Sequence, residues 1–251
     1  MKQHYFSRSG SIQRVSILFI FLMVTGFGVQ SFSFSPMTVS ITPSGSGAVM
    51  TYRVSNESDQ QTAVSIKVAT RVIDPLGKET MEPADKVFLV FPSRVVLKPN
   101  SSQNIKVQYR GNPAITSEAA YRIIAEQLPV DFTKSTTSGV SILLTYVAAL
   151  YVTPKNAAPK LLISQAIGAQ KEGVQGIEVT VKNEGTRHAL ISNPIIRIHR
   201  GEASSLEFSG EATGGIDGQN ILALSERKIF LPWEAAVTGV SYEGAFDAEI
   251  E

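Results

Sequence analysis

His188, with Arg187 beside it, is the place to look first for acid–base chemistry, because imidazole titrates near neutrality. The sequence offers it no companions. It contains no Gly-x-Ser-x-Gly elbow that would hold a hydrolase nucleophile and no Walker-type phosphate loop. Gly45-Ser46-Gly47 lacks the third glycine of a dinucleotide fingerprint and precedes a strand pattern, not a helix. His188 therefore reads as a surface or hydrogen-bonded loop residue, and the protein as a non-enzyme. Cysteine is absent, so no cysteine-type zinc site can form. The three histidines, His4, His188 and His199, are too few and too scattered for a histidine metal site. No metal and no cofactor is expected. Asn56-Glu57-Ser58 and Asn100-Ser101-Ser102 match glycosylation acceptors but read as turns.

Residues 1–31 read as a removable signal peptide. Lys2, Arg8 and Arg14 give a positive start, and an almost wholly apolar run follows from Val15 to Phe27. Val29 and Ser31 suit the −3 and −1 positions of a cleavage site, which puts the mature start near Phe32. An uncleaved membrane anchor is the alternative, and the run is short for a span of about 20 residues. The whole chain carries +1; three of its positive residues lie in the leader, so the remainder carries −2. That balance predicts no basic surface for nucleic acid. An exported chain without disulfides must hold itself together by core packing.

After the leader the sequence runs in short alternating stretches broken by turn residues, the pattern of an all-β protein. Strands are expected within 32–41, 49–54, 64–73, 87–91, 95–97, 105–109, 121–128 and 140–152. Pro154-Lys155-Asn156-Ala157-Ala158-Pro159 reads as a linker, since proline cannot continue a sheet ladder. Beyond it, strands are expected at 161–163, 177–181, 189–191, 195–198, 206–208, 221–224 and 229–231, with a glycine-rich loop at 210–218. Two sandwiches of roughly 100 residues each fit this length: 32–153 and 160–251, joined by 154–159. No amphipathic run separates the strands, so helical crossovers have nowhere to sit.

The stretch 140–152 is the longest. Val140, Ile142, Leu144, Tyr146, Ala148 and Leu150 share one face, and the other face is also largely apolar. A central strand buried on both sides would read the same way, and periodicity alone does not exclude that.

Several segments resemble periplasmic pilus-assembly chaperones of the chaperone–usher pathway. Tyr121-Arg122-Ile123-Ile124-Ala125-Glu126-Gln127-Leu128-Pro129, a polar loop, and a long strand ending Leu150-Tyr151-Val152-Thr153-Pro154 are similar to the last two strands of that family's first domain. Phe91-Pro92 and the segment from Leu97 to Val107 resemble its region before the sixth strand; Asn183, Gly185 and Leu231-Pro232 match its second domain more loosely. Tyr121-Arg122 and Thr145-Tyr146-Val147-Ala148-Ala149-Leu150 look closest to the archaic and alternative branches.

The resemblance implies two immunoglobulin-like β-sandwich domains in an L-shaped arrangement and a periplasmic location. It implies fimbrial subunits and an outer-membrane usher as partners, with neither nucleic acid nor small-molecule cofactor. It also implies donor-strand complementation, in which the 140–152 strand fills the groove of a subunit lacking its last strand. Val140, Ile142, Leu144 and Tyr146 would enter that groove. The family's usual anchor for the subunit carboxylate is an arginine in the first strand with a lysine in the donor strand. Here those positions read Thr42-Pro43-Ser44 and Ala149. Arg122 is the substitute anchor that the resemblance implies, and Arg71 is the weaker candidate; a guanidinium fork can hold a carboxylate at two points. Two rivals stand beside this reading: a secreted two-domain fimbrial subunit or adhesin, and an enzyme with an unfamiliar site.

Overall fold

A computed structural model describes residues 32–129, 142–200 and 204–250. The leader and Val140 lie outside the described residues. Among the described residues the regular structure is strand apart from two short 3-10 turns, in two bodies with separate hydrophobic cores.

The first body contains β1 (Phe32–Ser35), β2 (Thr38–Ile41), β3 (Val49–Asn56), β4 (Thr62–Thr70), β5 (Val72–Ile73), β6 (Glu79–Thr80), β7 (Phe88–Phe91), β8 (Arg94–Leu97), β9 (Ser101–Tyr109), β10 (Ala119–Gln127) and β11 (Thr145–Val152). One sheet runs β1-β3-β9-β7, and its partner runs β2-β11-β10-β4-β8. Alternation explains the packing: Ile105, Val107 and Tyr109 of β9 and Ile123 and Ala125 of β10 all point into one core. Phe34 and Tyr52 stack in it at 5.0 Å.

The expected first strand, 32–41, is two strands. At the cis Ser35–Pro36 bond the chain leaves one sheet, and β2 resumes in the other, parallel to β11. Proline offers no N–H to a ladder, so the ladder breaks there.

The second body contains β12 (Leu161–Lys171), β13 (Val174–Asn183), β14 (Ala189–Arg200), β15 (Ser204–Ser209), β16 (Asn220–Ile221), β17 (Glu226–Pro232) and β18 (Glu243–Ile250). A sheet β12-β13-β17 faces one built on β14, which pairs with β15, β16 and β18. Ile177, Val179, Val181, Ile196, Ile198 and Leu231 form its core. Three expectations change here. The separate runs 189–191 and 195–198 are one strand, bulged around Asn193 and Pro194. The run 221–224 shortens to β16. Strand β18 was not anticipated at all; its sequence Glu-Gly-Ala-Phe-Asp-Ala-Glu-Ile offers only Phe246 and Ala248 to the core.

The small hairpin β5–β6 projects from the first body onto the second. Its turn is closed by Asp74, whose Oδ1 accepts the N–H groups of Leu76 and Lys78, both at 2.9 Å. The Lys228 N–H donates to Pro75 O at 2.8 Å, so the hairpin tip is stitched to β17. Gly77 sits at φ +92°, and a Cβ there would lie 2.2 Å from Arg227 Nη1, so only glycine fits.

Candidate functional site: a free sheet edge above an arginine-lined cleft

The long strand is shorter than its sequence suggests. Among the described residues β11 begins at Thr145, and residues 142–144 precede it without strand structure, although the Gln127 N–H still donates to Leu144 O at 2.9 Å. On one side, β11 pairs with β10 along its whole length, from Thr145 opposite Glu126 to Val152 opposite Ala119. On the other side, β2 reaches only Ala149 to Val152. Thr145, Tyr146, Val147 and Ala148 thus have a strand partner on one side alone. Backbone groups along such an edge are a ready template for another strand.

Apolar side chains gather where the edge is open. Ile142 is 63% exposed, Leu143 46% and Val147 38%. Large apolar groups left in water beside an unpaired edge are the signature of a surface that takes a partner strand.

The four residues expected in a partner's groove separate. Ile142 is free. Leu144 and Tyr146 are half-buried against the first core. The Tyr146 ring packs edge-on to Phe32 at 4.9 Å, and its hydroxyl donates to Phe32 O at 2.8 Å. Val140 is beyond the described residues. Leu143 and Val147, in the other half of the alternation, are exposed apolar residues as well.

Below the edge, the outward face of β10 and β11 carries small residues, Ala120 and Ala149, that leave room for guanidinium groups. Arg122 lies opposite Ala149 and grips Glu79 with both arms: Nε to Oε1 and Nη2 to Oε2, each at 2.7 Å. Arg71 adds its Nε to Glu79 Oε2 at 3.0 Å and its Nη1 to the Tyr151 hydroxyl at 2.9 Å. The two candidate anchors are therefore brought together by one carboxylate. The Arg122 hydrogen bonds hold the Glu79 carboxyl below its ordinary range, against the opposing effect of burial and with help from Arg71. Its partner Glu79 correspondingly raises Arg122. Glu79 and Tyr151 had no signal in the sequence beyond their chemistry; an acid that pairs two distant arginines is visible only once β6 lies beside them.

Tyr151 is the hinge of this face. It is 1% exposed, its ring stacks on His188 at 3.9 Å, and its hydroxyl also accepts Asn220 Nδ2 at 2.8 Å. His188 is indeed a hydrogen-bonded loop residue, though an inward one: its Nδ1 and backbone N–H both reach Glu118 Oε1. Thr153 Oγ1 donates to the other Glu118 oxygen at 2.8 Å. Burial pushes the Glu118 carboxyl up, but the His188 and Thr153 hydrogen bonds outweigh it and leave it lowered.

Between hairpin and second body lies a cleft of about 380 Å³, lined by Arg71, Glu79, Gly77, Gln219, Asn220 and Arg227 among others. Arg122 is not on its wall. Arg227 is 8% exposed, and its buried Nε has no hydrogen-bond partner.

This geometry has relatives. A family model described as pili and flagellar-assembly chaperone, PapD N-terminal domain, matches residues 33–158. No protein of curated function matches by sequence. The class 5 fimbriae chaperone CfaA superposes with a TM-score of 0.57 at 15% identity, covering 88% of this chain and 100% of that one. A chain from the CsuC–CsuE chaperone–tip adhesion subunit pre-assembly complex of Acinetobacter baumannii archaic chaperone–usher pili gives 0.58 at 19% identity, covering 88% and 97%. One from the Salmonella enterica SafA pilin–SafB chaperone complex gives 0.50 at 13% identity, covering 88% and 97%. At these identities the structural likeness carries the fold, two immunoglobulin-like sandwiches.

Proposed function

Because the chain belongs to the pili and flagellar-assembly chaperone family, we propose that it is a periplasmic chaperone that lends the free edge of β11 to an incomplete fimbrial subunit. The observation that carries this is the open side of Thr145–Ala148, flanked by exposed Ile142, Leu143 and Val147. A subunit lacking its last strand has an unpaired edge and an open apolar groove. Pairing with β11 satisfies the edge, and alternate side chains from Val140 through Ile142 and Leu144 enter the groove. Tyr146, tied to Phe32, closes the inner end of that row.

Arg122 and Arg71 supply positive charge at the end of the strand, where a subunit terminus arrives; Glu79 holds both in place and yields or shares them with the incoming carboxylate. The capped subunit then passes to an outer-membrane usher. The cycle needs no catalysis and no cofactor. Export occurs through cleavage of residues 1–31.

The test is coexpression with a candidate subunit followed by purification from the periplasm. A soluble one-to-one complex, with the subunit degraded when the chaperone is left out, is the expected result. Self-assembly of this chain into polymers would reject the reading and favour a two-domain fimbrial subunit.

A further inference from the structure

A buried carboxylate ties the two sandwiches together. Glu118 lies just before β10 in the first body, and its side chain is 1% exposed. Its Oε1 accepts the His188 backbone N–H at 3.1 Å and also meets His188 Nδ1; its Oε2 accepts the Thr153 hydroxyl at 2.8 Å. His188 belongs to the second body, just before β14. In the same loop, Thr186 O accepts the Glu118 N–H at 2.8 Å. The imidazole stacks on Tyr151 of β11 at 3.9 Å. Two bodies with separate cores thus meet through an ionisable pair almost closed to water.

The pair holds while Glu118 is ionised. An imidazolium adds an ion pair to the hydrogen bonds, and a neutral imidazole keeps its bond with the proton on Nδ1. Protonating Glu118 is different. The Thr153 hydroxyl can accept the new O–H, but in acid the imidazole is charged, and a buried cation then loses its anion. The neighbouring charges make this worse. Arg187 precedes His188 in the loop, and Arg71, at the end of β4, reaches the Tyr151 hydroxyl beneath the ring. Arg122 of β10 also interacts with Tyr151. Burial raises the Glu118 carboxyl, and the His188 and Thr153 hydrogen bonds outweigh it, so it lies below the ordinary value of 4.5. The pair's contribution is therefore fully present above 4.5 and is lost as pH falls through the lower folded value. Other bonds across the junction, Lys228 N–H to Pro75 O and Asn220 Nδ2 to the Tyr151 hydroxyl, contain no acid.

We propose that Glu118 and His188 form an acid-released latch: the ionised pair fixes the second sandwich against β11, and protonation of Glu118 frees it to reorient while both bodies stay folded. They are positioning residues. Glu118 adjoins the Ala119–Val152 end of the β10–β11 pair, opposite the open edge at Thr145–Ala148. Their effect on a bound subunit, through the stance of the second sandwich, rests on the chaperone reading; the latch itself does not.

The chain has no cysteine, so spin labels can be attached at Asn104→Cys in the first body and Lys171→Cys in the second, both exposed positions. Double electron–electron resonance then gives the distance distribution between the bodies from neutral pH into acid. Amide NMR dispersion reports whether each core is intact. A narrow distribution is expected near neutrality. It should broaden reversibly below 4.5, with both cores folded and with the slope of a single proton, about tenfold in the latch equilibrium per pH unit. Glu118→Gln should be broad already at neutral pH and indifferent to acid. His188→Phe, which keeps a ring on Tyr151 but lacks Nδ1, should also be broad. Glu79→Gln, which alters a carboxylate held within the first body, should respond as the parent does. A parent distribution unchanged in acid would overturn the proposal, as would broadening that coincides with loss of either core; neither outcome depends on a variant's folding. An acid response that survives in Glu118→Gln would overturn it too. None of these measurements uses a subunit, so failure of the latch leaves the donor-edge reading standing, and failure of subunit capture leaves the latch standing.

Discussion

Replacing Ile142 by asparagine separates a docking residue from a core residue. Burying a full isoleucine side chain contributes about 1.5–3 kcal/mol. Ile142 already has 63% of its surface in water, so the folded protein draws little from it and the melting temperature should stay within about 2 °C of the parent. A subunit groove that covers the remaining surface would gain roughly 1–2 kcal/mol from it. Losing that amount, and leaving a polar amide in an apolar pocket, should weaken subunit binding about tenfold or more. Leu150 is the control. It belongs to the same alternating set in the sequence but is fully buried in β11, so Leu150→Ala should cost about 2–5 kcal/mol of stability. The assay is thermal melting of the purified variants beside subunit binding by titration calorimetry. If Ile142→Asn melts like Leu150→Ala, the residue belongs to the core. If it binds subunit as the parent does, Ile142 faces no groove. Either result would refute the reasoning.

Three further outcomes follow from the same structure. Mass spectrometry of the periplasmic protein should give an N-terminus within a few residues of Phe32, and a full-length membrane-bound product would refute the leader assignment. Arg122→Ala should remain folded yet recover far less subunit, a loss of about 2–5 kcal/mol in binding if the carboxylate is held there; Arg122→Lys should restore only part, for want of a bidentate fork, and normal recovery from Arg122→Ala would remove it as an anchor. Glu79 has a depressed carboxyl pKa in the folded protein, so its contribution to stability is fully present above the unfolded carboxylate range, near 4.5, and is lost as pH falls through the lower folded value. The melting-temperature gap between the parent and Glu79→Gln should accordingly be flat above about pH 5.5 and shrink in acid; a gap that widens in acid would contradict the pairing.

Much of the fold was legible because strands advertise themselves by period. Ile105, Val107 and Tyr109 alternate cleanly, and they lie in a core strand. β18 was missed because its inward positions are glycine, phenylalanine and alanine, too small and mixed to signal burial. The break at Pro36 was missed because 32–41 alternates well on both sides of it; apolar spacing says that a strand exists, not which sheet it joins. At the candidate site, Arg71 and Arg122 could be picked out as donors with planar forks. Their common partner could not, since Glu79 is 43 residues from Arg122 and meets it only through the β5–β6 hairpin. Arg227 was invisible for the opposite reason: what marks it is the lack of a partner, which only the folded surroundings reveal.

The crossing of the first strand between sheets has a consequence for length. β2 covers β11 from Ala149 onward, and β1 has already gone to the other sheet. The point of departure works as a stop on a ruler: it leaves four residues of β11 open, about 13 Å of edge at roughly 3.3 Å per residue. A guest strand sliding inward would run out of vacant ladder where β2 begins, whatever the affinity of its side chains. Moving the proline along the first strand, with no change to any apolar residue of β11, would lengthen or shorten that berth two residues at a time, since only even steps keep each side chain on its own face.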